Sequence, residues 1–187
     1  MRNAKALAQF FSAMSAVDRF SQYRLVNPES ILEHTAVVAI TTMSLVKMIG
    51  PHIDMAACLE KALCHDMDEI LTGDIPMPTK YATEEIRDAI NNVADINMKI
   101  IDFDYGTAFY GAWSRESRIV KLADVIAVYY KAYQEVELFG NKSLIPAIQY
   151  LDTGLSKALD AFEDAFGEHT KIKNLVNEMI KWAEDTK

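Results

Sequence analysis

The sequence predicts an all-α globule of six to eight helices in one domain, and three observations lead there. Apolar residues recur at helical spacing nearly throughout, helix-stop signals fall at helix-length intervals, and no stretch alternates like a half-buried strand. Half of the 187 residues are apolar and a quarter are charged, an ordinary globular composition. Folding at that length buries about 70% of the surface the unfolded chain exposes. No disulfide staple is needed.

Each element has a local cause. Leu7, Phe10, Phe11 and Met14 follow the i, i+3, i+4, i+7 spacing of one buried helix face. Asn27-Pro28-Glu29-Ser30 reads as the next helix start, with Ser30-x-x-Glu33 matching a capping box. That helix is expected to end near Ile49, before Gly50-Pro51. A third is expected over residues 54–71, ending at Thr72-Gly73-Asp74. In Ile75-Pro76-Met77-Pro78 the two prolines remove donors and bias their predecessors to extended backbone, so a rigid, non-helical loop is expected. Further helices fit residues 83–103, 114–139, 143–166 and 169–183, with Gly140-Asn141 and Gly167 placed as C-terminal caps. Residues 105–111 read as a connection. No internal repeat or low-complexity run is found.

Several functional classes fall on composition. The 19 basic and 27 acidic residues leave a net charge of −8, which argues against binding a nucleic-acid polymer but not against a small phosphorylated ligand held by a few cations. The longest apolar stretches, such as 35–43, are interrupted and shorter than a membrane span. Behind Met1-Arg2-Asn3-Ala4-Lys5 there is no long apolar run or cleavage site of a secretory leader. Cys58 and Cys64 sit six apart on one expected helix, where their side chains diverge, and read as reduced packing residues. The expectation is a cytoplasmic protein without a membrane partner.

Chemistry is concentrated in a few positions. His34 follows Glu33, and His65 precedes Asp66, each inside an expected helix. Asp124 interrupts the apolar stretch 119–128, where a carboxylate is costly unless paired, hydrogen-bonded or metal-bound. Imidazoles with carboxylates are a typical donor set for a divalent first-row metal. Each has an ordinary alternative: a core histidine, a chance His-Asp pair, or an Asp124–Lys121 ion pair three residues apart on one helix. Their joint order, His, then His-Asp, then Asp, one group per helix, favours the metal.

That order resembles the HD-domain metal-dependent phosphohydrolases. Residues 65–81, His-Asp-Met-Asp-Glu-Ile-Leu-Thr-Gly-Asp-Ile-Pro-Met-Pro-Thr-Lys-Tyr, resemble more specifically the HD-x-x-E-x-LTGD-x-P-x-P-x-KY signature of the bacterial YfbR-like 5′-deoxynucleotidases. Asp18-Arg19-Phe20, the stretch Glu29 to His34, and Val120-Lys121-Leu122-Ala123-Asp124 match further family segments. The resemblance covers about residues 5–140, with 143–183 read as packing helices of the same domain. Small viral HD proteins that hydrolyse deoxynucleoside triphosphates, including dATP triphosphohydrolases, share the core.

The resemblance implies that His34, His65, Asp66 and Asp124 hold one divalent ion, whether Zn, Co or Mn. It implies Glu69 as general acid/base, in keeping with its place one helical turn after His65. Asp74 matches a carboxylate that positions the attacking water, and turn chemistry is its alternative. Arg19 matches a phosphate contact, a role that suits a planar guanidinium. Lys80 and Lys121 are candidates for additional phosphates, and Pro76 for a wall of the nucleoside site. Phe20 stands where the family has tryptophan, so base preference is not inherited with it.

The expected activity is hydrolysis of 2′-deoxynucleotides at the 5′ phosphate by a metal-activated water. Both phosphate release from a monophosphate and triphosphate release from a dNTP are open, with a lean to adenine by analogy with the viral proteins. The rivals are a non-catalytic nucleotide-binding regulator with an HD fold, which would have lost a ligand or Glu69, and an HD phosphodiesterase for signalling nucleotides, against which LTGD-x-P-x-P argues. A homo-oligomer is expected from the family alone.

Overall fold

A computed structural model describes residues 4–80, 82–101 and 114–187. Among the described residues, seven long helices carry the fold: α1 (Ala4–Ala16), α2 (Ile31–Ile49), α3 (Met55–Cys64), α6 (Glu84–Ile101), α7 (Arg115–Tyr133), α9 (Leu151–Phe166) and α10 (Thr170–Thr186). Three single-turn helices, α4 (Glu69–Thr72), α5 (Met77–Lys80) and α8 (Ile145–Ile148), connect them. Among the described residues there is no strand, only one antiparallel bridge between Asp18 and Ser30.

The main core forms around α7, which packs against α2, α3 and α9, while α10 closes over α9. Val38, Leu45, Ile119, Leu122, Leu155, Phe162, Ile172 and Val176 fill it. A smaller cluster joins α1 and α6 to the start of α2 through Phe10, Met14, Ile31, Cys64, Met67 and Met98. Phe10 and Met14 are buried as expected, but Phe11 is exposed, because the helix dips only a narrow stripe into this small cluster. The side chain of Leu7 and the 105–111 connection lie outside the described residues.

Local signals placed most helix ends. Ser30 accepts from the Glu33 amide while the Glu33 side chain accepts from the Ser30 amide, completing the capping box. Gly50 ends α2, and Gly140 and Gly167 turn the chain with φ of 65° and 76°. At 19 residues, α2 is long and apolar enough to cross a membrane by length and composition alone, which corrects the reading that no stretch qualifies. Here it is a core helix whose Val38, Thr42, Leu45 and Val46 are buried against neighbours. Cys58 and Cys64 are free and buried.

Three expectations of continuous or absent helix fail. The 54–71 helix breaks after Cys64: Met67 N–H donates to Cys64 and Glu69 N–H to Asp66, spacings of three that tighten the chain into turns. The segment after Ile75 is not wholly loop, because Pro78 sits in the first turn of α5, where no backbone donor is required. The 143–166 helix divides at Gln149-Tyr150 into α8 and α9. Residues 134–138 continue α7 as a π-helical turn, and 142–144 form a 3₁₀ turn.

Where α7 passes into its π turn, Lys131 and Glu135 form a salt bridge of 2.9 Å with both side chains essentially inaccessible. Lys131 also donates to the Asn27 carbonyl, and Glu135 accepts from the amides of Val26 and Asn27 and from Asn141. This network fastens the 26–27 segment, which leads into α2, to the end of α7. Burial raises the Glu135 carboxyl, but those four donors outweigh it and bring it down to about 2 from an ordinary 4.5. Lys131→Met, which strands the carboxylate, is expected to lose about 3–5 kcal/mol in urea unfolding. Because the folded pKa is depressed, the Glu135 contribution is complete above pH 4.5 and is lost as pH falls toward 2. Glu135→Gln should flatten that part of the acid stability curve; an unchanged acid limb would contradict the assignment.

Candidate functional site

Four segments meet at one buried cluster. The capping box fixes the start of α2, so His34 projects from its first turn and is fully buried. The tightened turn after α3 brings both His65 and Asp66 to the same side, which a continuous helix would have splayed by about 100°. Asn97 of α6 pins that turn by donating to the Asp68 carbonyl at 3.1 Å. Asp124 arrives from the middle of α7. The fourth segment is residues 17–19, which run antiparallel to 29–31: Arg19 N–H donates to Glu29 at 2.8 Å and Ile31 N–H to Val17 at 2.9 Å.

The cluster has a defined geometry. His34 Nε2 lies 3.2 Å from Asp124 Oδ1 and 3.7 Å from Asp66 Oδ2, and His65 Nε2 lies 3.2 Å from Asp66 Oδ2. His65 Nδ1 donates to the Ala62 carbonyl at 2.7 Å. That bond fixes the neutral tautomer and leaves Nε2, buried and without a hydrogen-bond partner, facing the carboxylates. His34, His65 and Asp66 each offer a ligand atom within 4.8 Å of one another. On the far side of His34, Glu29 Oε2 stands 3.7 Å from Nδ1, the carboxylate-behind-imidazole arrangement that orients metal-binding histidines. The donor set, the inward Nε2 and the carboxylate behind His34 all fit a divalent cation.

Electrostatics point the same way. Burial lowers His34, but Asp124 and Glu29 outweigh it and carry it up to about 9. Burial likewise opposes a charged His65, and Asp66 still raises it. Burial raises Asp66, yet His65 and Arg19 hold it below the carboxylate range; Lys121 and His34 do the same for Asp124. The site is a strong attractor for positive charge. Glu69 behaves oppositely: burial, then the Asp66 charge, push it up from the usual carboxylate range.

All eleven residues singled out in the sequence meet here. Nine line one open cavity: Arg19, Phe20, Asp66, Glu69, Asp74, Pro76, Lys80, Lys121 and Asp124. His34 and His65 contact the lining carboxylates of Asp124 and Asp66. Arg19 is engaged with Asp66 and stands 3.8 Å from Glu69 Oε2. Lys121 does pair with Asp124, at 2.8 Å, while His34 contacts the other oxygen of the same carboxylate. The ion-pair alternative and the clustered arrangement therefore hold together.

The sequence reading missed two features. Glu29 appeared only as a motif letter; an acidic residue five before a candidate ligand was the available signal. The second is a wall from the C-terminal part, Ala147, Tyr150, Leu151 and Gly154, facing Val125 and Val128 of α7. Spacing of i, i+3, i+4, i+7 on both segments was its only trace.

Asp74 has a visible job of its own. Its Oδ2 accepts the Phe20 N–H at 2.8 Å, and Phe20 sits at φ 54°, a left-handed conformation that bulky residues rarely adopt. The carboxylate thus holds the turn that presents Arg19 and Phe20 to the cavity. Asp74→Ala is expected to lose about 1.5–3 kcal/mol in urea unfolding, as for a hydrogen bond to a charged group. Unchanged stability would show that the amide needs no such anchor.

The chain is 30% identical over 158 residues to a 5′-deoxynucleotidase of Vibrio vulnificus, covering 77% of this chain and 81% of that protein. Its fold matches the PH0347 protein of Pyrococcus horikoshii with a TM-score of 0.75 at 20% identity, over 96% of this chain and 99% of that one. It also matches the HD phosphohydrolase DatZ of cyanophage S-2L, a structure bound to dA and one catalytic Zn²⁺ ion, with a TM-score of 0.63 at 17% identity, over 97% and 98% of the two chains. The family described as 5′-deoxynucleotidase YfbR-like matches residues 6–171, and the chain belongs to that family.

Proposed function

We propose that the protein is a metal-dependent phosphohydrolase that cleaves the 5′ phosphate end of 2′-deoxynucleotides. The observation that carries this reading is the grouping of His34, His65 and Asp66, joined by Asp124 through His34, at the charged end of a cavity with an apolar far wall. His34, His65, Asp66 and Asp124 would hold one divalent ion, with Zn, Co and Mn all compatible with nitrogen and oxygen donors. When bound, such an ion supplies an acidified water and a polarised phosphoryl oxygen.

The remaining chemistry belongs to the chain. Arg19, facing the cavity beside Glu69, is placed to grip phosphate oxygens with its planar fork. Glu69, raised by burial and by the Asp66 charge, would serve as the general acid/base. Asp74, beside the Phe20 amide, helps orient the attacking water while holding the turn. Phe20 and Pro76 pack the nucleoside, and Lys80 and Lys121 border the cavity where further phosphates would project. The same proposal includes a single domain, a cytoplasmic setting supported by two free cysteines, and a homo-oligomer. Monophosphates and triphosphates both remain within it, as does the lean to adenine.

Paired substitutions separate the metal site from the acid. Asp66→Ala is expected to lose bound metal and turnover together, whereas Glu69→Ala keeps stoichiometric metal and slows by ~10²–10⁴-fold, the range of general acid–base groups. Metal analysis with assays on dNMPs, rNMPs and dNTPs checks both, and the product, phosphate or triphosphate, fixes the substrate class. Metal retained with unchanged turnover in Asp66→Ala would remove the ligand assignment. Metal lost with Glu69→Ala would make Glu69 a ligand.

A further inference from the structure

Helix α6 carries two apolar stripes along its 18 residues, and among the described residues the fold buries one of them. Ile90, Ala94, Asn97, Met98 and Ile101 turn toward the body, where Asn97 and Met98 are buried and Ile101 packs against the smaller core cluster. The second stripe is Ile86, Ala89, Val93, Ile96 and Ile100. It is exposed throughout, its four large members to between 38% and 64%. Steps of three, four, three and four residues are the repeat of a helix-pairing seam, here carried over about 21 Å of helix. A single exposed isoleucine needs no explanation, but a continuous apolar seam marks a contact with another molecule.

The seam is complementary to itself. An antiparallel copy sets Ile86 against Ile100, Ala89 against Ile96 and Val93 against Val93, so large meets small on either side of a central two-fold axis. The flank turned away from the body repeats the pattern in polar residues, with Glu85, Asn92 and Lys99 each one position before a member of the seam, all exposed. Antiparallel pairing joins Glu85 to Lys99 of the second copy at both ends and Asn92 to Asn92 in the middle. A parallel copy would set that flank against the edge holding Ile90 and Asn97, which faces its own body, and would pair neither charge. An anionic lipid surface is the poorer occupant, because Glu84, Glu85, Asp88 and Asp95 outnumber Arg87 and Lys99 on this helix.

We propose that the exposed stripe of α6 is the contact of a two-fold dimer in which two copies of this chain pair α6 antiparallel about Val93. The proposal rests on the homo-oligomer reading above, to which it gives a surface, and not on the nucleotide chemistry. Light scattering on a sizing column tests the surface. The wild type is expected at twice the 21.0 kDa of one chain. Val93→Glu sets two like charges on the axis and is expected to halve the measured mass with unchanged far-UV helix content, and Ile100→Lys to do the same. Both side chains are exposed, so neither change disturbs the core. Cross-linking tests the direction, with Ile86→Cys and Ile100→Cys made separately and the native Cys58 and Cys64 buried. A short bismaleimide should join the two variants when mixed and neither alone, because like positions lie about 21 Å apart along an antiparallel pair.

A wild type of single-chain mass overturns the proposal and the homo-oligomer reading together. Variants that keep the wild-type dimer mass overturn the surface and leave the homo-oligomer standing elsewhere on the molecule. Either cysteine variant cross-linking efficiently by itself, or no cross-link in the mixture, overturns the antiparallel arrangement.

Discussion

Two carboxylates withdrawn from water, Asp66 and Asp124, set the terms for this fold. Neither can stay ionised in such surroundings without compensating positive charge, and the chain supplies it with four groups: two imidazoles, Arg19 and Lys121. The arrangement is expensive to build. It needs a helix start fixed by Ser30 and Glu33, a helix interrupted after Cys64, and a short antiparallel pairing that carries Arg19 past Glu29. The buried Lys131–Glu135 pair belongs to the same construction, because it fastens the approach to α2 onto α7 and so keeps His34 opposite Asp124.

The cavity divides the work between its two ends. At one end, Glu69 is raised while Asp66 and Asp124 are depressed, the opposed shifts that the proposed acid chemistry and cation binding would use. At the other end, α7 and the α8–α9 segment offer apolar faces with little to hydrogen-bond. Asp74 links the two, since the backbone it anchors carries both a guanidinium for the charged end and a ring for the apolar end.

Much of this was legible in the sequence because local chemistry determined it. The capping box at Ser30, the stop at Gly50 and the turns at Gly140 and Gly167 each depend on a few neighbouring residues, and each appears as read. The order of His34, His65, Asp66 and Asp124 along the chain pointed to the cluster that these four side chains form. What periodicity could not show was settled by tertiary contacts. Apolar spacing runs through His65 unbroken, yet burying His65 and Asp66 on one side required a turn there. Phe11 matches the helical stripe but stays exposed. Pro78 reads as a breaker and instead opens a helix, since its effect depends on whether it falls in the first turn. The α8–α9 wall has no motif, and only its packing on α7 reveals it.

The central claim is that the His34–His65–Asp66–Asp124 cluster is a cation site rather than a self-contained ion-pair network. Anomalous diffraction from crystals grown with Mn²⁺ or Zn²⁺, recorded on both sides of the metal edge, tests it most directly. The account predicts one strong anomalous peak enclosed by His34 Nε2, His65 Nε2 and the carboxylates of Asp66 and Asp124. An absent peak at that point, with His65 Nε2 facing the carboxylates and no ion between them, would contradict it.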